Sequence, residues 1–192
     1  MAESAGAGPV GARPGLGEAD EAALEQVFAV VASEMGFDGG AVAGRLRAGE
    51  PLAAALDLPG GTLDLLYARA HASFNAGRMV EAERLFRALT LLDGNGFDYW
   101  LGYGICLRLR DRFETARDVF AIAAALRPAS AAPYFHLLEA CLVSGDLAGA
   151  RAAVRACETR RFEGLGVSAR GEFDRLLSAL SLREQMAAGG GG

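Results

Sequence analysis

The chain has 192 residues, of which 52% are hydrophobic, which is enough for one domain of ordinary size with a substantial core. Its net charge is −5, and its basic residues are all arginines, scattered along the chain and outnumbered by acids, which argues against nucleic-acid binding. No apolar stretch reaches the roughly 18 residues that a membrane span requires, so no stable membrane insertion is expected.

The three cysteines are predicted to be structural residues rather than reactive or metal-binding ones. Cys106, Cys141 and Cys157 are odd in number and form no C-x-x-C pair, so we predict buried thiols without a metal or a disulfide. Free thiols are typical of a reducing compartment, and the first residues lack the apolar segment of a secretory signal. We therefore expect a soluble, intracellular protein without a cofactor.

The N-terminal part of the chain is predicted to contain a tail and a helical segment. Residues 1–18 are rich in glycine, alanine and proline and are expected to be disordered. Residues 19–61 are predicted to be helical, with one helix over residues 20–35 and two short ones near residues 41–48 and 51–58. The first of these carries an apolar stripe at helical spacing that comprises Leu24, Val27, Phe28, Val31 and Met35.

One pattern then recurs three times at a constant spacing. A period of about 34 residues with large apolar, small and aromatic positions is typical of the tetratricopeptide (TPR) repeat, a helix–turn–helix unit. The columns are Leu66, Trp100 and Tyr134; Gly77, Asp111 and Gly145; Met79, Phe113 and Leu147; Ala82, Ala116 and Ala150; and Phe86, Phe120 and Val154.

The predicted fold class is therefore all-α, with three TPR repeats over residues 62–162, at about 63–96, 97–130 and 131–162. The repeat helices are predicted at 63–75, 79–92, 97–109, 113–126, 131–143 and 147–160, with Thr62 as the cap of the first. A helix over residues 168–186 is expected to cover the open face of the second helix of the last repeat, before a disordered tail at 187–192. Because Leu138 stands where the other repeats have a small residue, the third pair of helices is expected to be splayed.

The first helices of stacked TPR repeats line a concave groove, and here most groove positions are apolar. A trough of this kind on a soluble protein predicts an occupant, for which an extended or partly helical peptide with spaced apolar side chains is the best candidate. The alternative is that the chain's own N-terminal helices fill the groove. The predicted contacts are Tyr67, His71, Phe74, Leu101, Ile105, Arg108, Phe135, Glu139 and Leu142.

Catalysis finds little support in the sequence. His71 faces the predicted groove, whereas His136 lies in another repeat at a position that is usually structural or exposed. No Ser/His/Asp set, phosphate-binding glycine loop or metal-ligand spacing is present.

Residues 41–157 resemble the class II chaperones of bacterial type III secretion, which are TPR chaperones of pore-forming translocator subunits. The resemblance lies in the runs LYARAHASFNAGRMVEAERLF, YWLGYGICLRLRDRFETA and PYFHLLEACLVSGDLAGA and in the short helical segment before them. Met79 and Leu138 depart from the family, which usually has an aromatic and a small residue there.

This resemblance implies a cytoplasmic chaperone that keeps hydrophobic translocators soluble before export and binds a short segment of them in the groove. It also implies a homodimer through the N-terminal helices, and for some members a transcriptional activator as a second partner. Two other functions stay open: a TPR scaffold that binds a C-terminal carboxylate, for which only Asn75 and Arg108 qualify, and a chaperone of the secretion needle subunit.

Overall fold

The structure is a computed structural model that describes residue 36 and residues 38–189. The predicted helix over residues 20–35, including Leu24, Val27, Phe28 and Val31, lies outside the described residues, as do the predicted tails at 1–18 and 190–192. The chain divides into two compact units, residues 1–58 and residues 59–192.

The described part of the first unit contains two short helices, α1 (Gly39–Arg47) and α2 (Leu52–Ala55). The Asp38 carboxylate caps α1 by accepting a hydrogen bond from the Ala41 amide at 3.0 Å. Arg45 ties the two helices together, because its guanidinium pairs with Glu50 at 2.9 Å and with Asp57 at 2.7 Å.

The second unit contains three pairs of antiparallel helices and a long final helix. Helices α4, α5 and α6 match the sequence-based bounds, and the other repeat helices differ by one residue at one or both ends. No strand occurs among residue 36 and residues 38–189. The helices are α3 (Thr62–Asn75), α4 (Met79–Leu92), α5 (Phe97–Leu109), α6 (Phe113–Leu126), α7 (Ala132–Ser144), α8 (Leu147–Thr159) and α9 (Val167–Gly189).

The cap predicted for α3 was wrong. Gly61, at a left-handed φ of 83°, is the N-cap residue, and Thr62 already lies in the first turn of the helix. The Thr62 hydroxyl donates to the Pro59 carbonyl at 2.7 Å, so it stabilises the loop before the helix rather than a free amide of its first turn.

The column of Gly77, Asp111 and Gly145 marks the turn inside each pair. All three residues have a left-handed backbone, with φ of 73°, 59° and 77°. This conformation lets the chain reverse within about three residues, and glycine adopts it without the steric cost that a Cβ imposes. The repeat pattern therefore requires a left-handed backbone conformation at this column, and Asp111 adopts it at a higher steric cost than glycine does.

We expect Asp111→Gly to raise the free energy of unfolding by about 0.5–1 kcal/mol, because it removes the Cβ from a left-handed residue. The Asp111 side chain is exposed, so little contact is lost. Urea denaturation measures the change. Gly145→Ala is the matched control, since φ there is 77° and its new methyl group would meet open space; it should destabilise by a similar amount. Equal stability of all three proteins would contradict this account of the turns.

The small-residue column lies at the crossing of each helix pair. Ala82, Ala116 and Ala150 are all fully buried, as is Ala70 on α3. On α5, two glycines leave room for aromatic rings of the two neighbouring helices. A Cβ at Gly102 would lie 2.5 Å from the Phe86 ring of α4, and one at Gly104 would lie 2.5 Å from the Phe120 ring of α6. Helix α5 thus receives an aromatic ring from the helix on either side of it.

The third pair is not splayed, which corrects the expectation based on Leu138. Helices α7 and α8 pack as extensively as α3 and α4. Leu138 is fully buried in one cluster with Ala150 and Ala153 of α8. The two small side chains opposite make room for the leucine, so its extra volume fills the interface without separating the helices.

The final helix covers more than was predicted. Helix α9 packs against both α7 and α8, rather than α8 alone, and buries Phe173 and Leu180 in the cluster of the third pair. The Arg183 guanidinium also donates to the Leu142 carbonyl near the end of α7. The helix continues to Gly189, beyond the predicted end at residue 186, so it takes up the first part of the predicted tail.

The three cysteines are buried free thiols, as the sequence indicates. Burial raises the pKa of the Cys106 and Cys157 thiols to about 12, so their reactive thiolate forms are scarce at neutral pH. Within the described part of the chain, no cluster of three or more His, Cys, Asp or Glu side chains could hold a metal ion. Among the same residues, no helix has the length and hydropathy to cross a membrane.

Candidate peptide-binding face

The first helices of the three pairs, α3, α5 and α7, contact one another side by side. The Tyr67 ring on α3 lies 5.5 Å from the Tyr99 ring on α5. An ion pair then joins Arg108 of α5 to Glu139 of α7 at 3.1 Å. The three helices are therefore neighbours, and we call the set of their predicted groove positions the first-helix face: Tyr67, His71, Phe74, Leu101, Ile105, Arg108, Phe135, Glu139 and Leu142.

The first repeat supplies an aromatic group to this face. Tyr67 meets His71 edge-on, with 4.5 Å between ring centroids, and both rings pack against Phe86. Burial, followed by the nearby Asp98 carboxylate, raises the pKa of the Tyr67 phenol. Tyr67 and Phe74 are half-buried and His71 is exposed, so all three leave surface for a partner.

The second repeat supplies two aliphatic side chains. Leu101 and Ile105 lie one helical turn apart on α5, and both are half-buried. They pack from one side against a buried cluster that includes Leu107 and Phe120. Each is therefore held by the cluster and still leaves part of its apolar surface exposed.

Two groove positions of the third repeat are buried. Phe135 is 6% exposed and Leu142 is 4% exposed, and both belong to the buried cluster that includes Phe173 and Leu180 of α9. Both side chains are therefore almost completely inaccessible to a partner. Both residues lie in the core of the third pair, and their predicted contact with a partner stays a prediction.

A polar network closes the boundary between the second and third repeats. Glu139 accepts from Arg108 Nη1 at 3.1 Å through Oε1 and lies 3.0 Å from His136 Nδ1 through Oε2. The His136 ring stacks on Phe120, at 5.5 Å and 21°, and meets Phe135 edge-on at 5.2 Å. Sequence analysis placed Arg108 and Glu139 on the face but left His136 out. Its spacing of three residues from Glu139 on one helix is the signal that was available.

A second apolar depression lies between α6 and α7, away from the predicted contacts. Its lining combines the ring of Phe120 with small side chains of α6 and the first turns of α7. The residues are Phe120, Ala121, Ala124, Ala125, Pro128, Pro133, Tyr134 and Leu137.

No model of a protein family matches the chain. Among curated proteins it is similar to the chaperone protein SicA of Salmonella typhimurium, with 34% identity over 94 residues. That match covers 49% of the chain and 57% of SicA, so the chain spans little more than half the length of this relative.

Two solved structures resemble the chain over most of their own length. A type III secretion complex from Aeromonas hydrophila is 25% identical with a TM-score of 0.66, covering 78% of the chain and 98% of the solved chain. PcrH of Pseudomonas aeruginosa, solved with the chaperone-binding region of PopD, is 26% identical with a TM-score of 0.61, covering 66% and 96%. The chain is thus similar in sequence and fold to the class II type III secretion translocator chaperones. The resemblance predicted from its repeats is thereby confirmed. The predicted all-α fold of the chain is confirmed as well, because its described residues form the same kind of helical structure as these chaperones.

Proposed function

We propose that the chain is a cytoplasmic chaperone of a bacterial type III secretion system that holds hydrophobic translocator subunits before export. The observation that carries this proposal is the set of half-buried apolar side chains at the groove positions of α3 and α5. It occurs in a chain whose relative PcrH is known in complex with a segment of PopD. The proposed role is binding without catalysis.

The first two repeats supply the proposed contacts. Tyr67, Phe74, Leu101 and Ile105 would receive apolar side chains, with His71 at the exposed edge. Burial of three aliphatic anchors contributes about 5–9 kcal/mol before the cost of association, which corresponds to micromolar binding once that cost is subtracted. Phe135 and Leu142 would support the face from beneath, as part of the core shared with α9.

A scaffold that binds C-terminal carboxylates is less well supported. Such a site requires several cations and amides that converge on one carboxylate. On the first-helix face the charge of Arg108 is already balanced by Glu139, and Asn75 lies at the exposed end of α3. A homodimer is supported by the solved dimer of SycD from Yersinia enterocolitica, which resembles the chain in fold. The proposed interface, the apolar stripe of Leu24, Val27, Phe28 and Val31, stays a prediction.

Co-expression with the translocator subunits of the same genome tests the proposal. We expect a soluble complex with the unchanged chain and its loss with Leu101→Glu plus Ile105→Glu, because two carboxylates would have to be buried under the bound segment. We expect a loss of affinity of at least about 100-fold, measured by titration calorimetry.

Ile122→Glu is the matched control, since Ile122 is 39% exposed on α6, outside the first-helix face. It should bind as the unchanged chain does, and melting curves should show that all variants fold. Complexes that survive the double substitution would contradict the assignment of the face. Recovery of a small helical needle protein in place of the translocators would select the needle-subunit alternative.

A further inference from the structure

Two exposed aliphatic side chains recur one repeat apart at the ends of first helices. Leu109 of α5 is 46% exposed and Val143 of α7 is 59% exposed. Single exposed aliphatic residues are common on protein surfaces and need no explanation. Among the exposed large hydrophobic side chains that the structure describes in the three repeats, however, Leu109 and Val143 are the pair that lies 34 residues apart. They therefore hold the same position on neighbouring helices.

On α5 this position continues the row of proposed contacts. Leu101, Ile105 and Leu109 follow one another at intervals of four residues, which places them on one side of the helix. Leu101 and Ile105 are half-buried, whereas Leu109 is exposed. The apolar surface that α5 offers to a partner is therefore more accessible toward the end of the helix.

On α7 the same row changes from buried to exposed. Phe135 is 6% exposed, Glu139 follows it by four residues, and Val143 follows Glu139 by another four. The ion pair between Arg108 and Glu139 joins α5 to α7 at 3.1 Å. Leu109 directly follows this arginine, and Val143 follows the glutamate by one helical turn. Val143 is thus the apolar position of this row on α7 that a partner can reach.

Open space lies next to the two positions. A depression of about 370 Å³ is lined by residues 111–115, in the turn after α5 and the start of α6, and by Ser144 at the end of α7. Asp111 follows Leu109 by two residues, and Ser144 directly follows Val143. The ends of α5 and α7 therefore leave room beside them for a further side chain.

The dimensions of the row favour an extended peptide as the occupant. Four residues of helix rise about 6 Å, and two residues of extended chain span about 6.6 Å, so alternate side chains of one segment can contact Ile105 and Leu109 in turn. A second copy of the chain is a poorer fit, because two side chains fall far short of the roughly 20–30 residues that each partner contributes to a specific interface.

We propose that Leu109 and Val143 bind an aliphatic side chain of the translocator segment, next to the anchors on Leu101 and Ile105. This inference rests on the proposed function. It gives the segment a contact in the third repeat that is accessible without any rearrangement of the core that α7 shares with α9.

The test measures how tightly Leu109→Gln plus Val143→Gln binds the chaperone-binding region of PopD, by titration calorimetry. Glutamine is uncharged and favours a helix, so the substitutions leave the neighbouring ion pair and the two helices intact. We expect a loss of affinity of about tenfold, because the segment no longer covers aliphatic surface at this contact. Since both side chains are exposed, the variant should melt as the unchanged chain does.

Val80→Gln plus Leu91→Gln is the matched control. Val80 is 47% exposed and Leu91 is 64% exposed, and both lie on α4, outside the first-helix face. The control therefore removes one valine and one leucine whose exposure is comparable to that of the tested pair. It should change the affinity for the PopD region less than twofold.

A photoreactive phenylalanine analogue at position 143 identifies the occupant. In the presence of the PopD region, we expect a crosslink to that peptide. If the analogue instead crosslinks to residues of its own chain or to a second copy of the chain, the surface has another occupant and the inference is overturned.

The outcomes separate the two proposals. If the PopD region binds the unchanged chain and the double glutamine variant equally, and position 143 gives no crosslink to it, the inference is overturned and the proposed function stands. If the unchanged chain binds neither the PopD region nor the translocators of its own genome, the proposed function itself fails. If the variant loses affinity only because it unfolds, its melting curve shows this, and the crosslink from position 143 decides.

Discussion

Gly104→Leu is expected to lower the free energy of unfolding by about 3 kcal/mol, at the upper end of the usual cost of overpacking. A Cβ at Gly104 would lie 2.5 Å from the Phe120 ring, closer than any ordinary contact, and Phe120 is fully buried. A leucine would force α5 and α6 apart at the centre of the stack. Urea denaturation followed by circular dichroism measures the loss.

Gly171→Ala serves as the control for glycine in a helix. Gly171 lies in α9 with nothing within 4 Å of an added methyl group, so the substitution should stabilise by up to about 1 kcal/mol through helix propensity alone. In a double-mutant cycle, Phe120→Ala should recover part of the loss caused by Gly104→Leu, because the cavity accepts the new side chain. Strictly additive effects would show that the two residues do not meet.

Phe135→Glu should prevent the repeat unit from folding, at a cost above about 4 kcal/mol, because it deletes an aromatic side chain from a core and places a carboxylate in the same apolar cluster. Each of these changes alone costs several kcal/mol. Phe135 is 6% exposed and shares that cluster with Phe173 and Leu180 of α9.

The comparison with Leu101→Glu distinguishes a core residue from a contact residue. Leu101 is half-buried, so its variant should fold with a loss of about 1–2 kcal/mol and fail in binding. Thermal melting and peptide titration of the two variants give the answer. If a Phe135→Glu protein melts like the unchanged chain and loses only its binding, Phe135 is a contact residue of the open face and not a core residue.

Local sequence features predicted the repeat helices well, because each feature acts within one pair. The constant spacing of the repeats fixes the helix bounds, and the column of Gly77, Asp111 and Gly145 identifies the left-handed turns. The contacts of Tyr67, Leu101 and Ile105 also follow from position in the repeat, and the structure leaves surface on each of them. Their role in binding stays a prediction.

The errors concern contacts between distant parts of the chain. The burial of Phe135 and Leu142 depends on where α9 packs, and no periodicity in residues 168–186 indicates that it contacts α7 as well as α8. Leu138 was expected to splay a pair because a single column was considered without the small side chains opposite. His136 was not included among the predicted contacts for the same reason. Its position is fixed by its contact with Glu139 and by stacking on the ring of Phe120, which lies on a neighbouring helix.

The central claim is that the first-helix face holds a translocator segment, and site-specific photo-crosslinking tests it most directly. A photoreactive phenylalanine analogue is placed at position 101 in one protein and at position 122 in another, and each is irradiated with the chaperone-binding region of PopD. We predict a crosslink from position 101, identified by sequencing the joined peptide, and none from position 122 on α6. Crosslinks from position 122 alone, or from neither position in proteins that fold, would contradict the account.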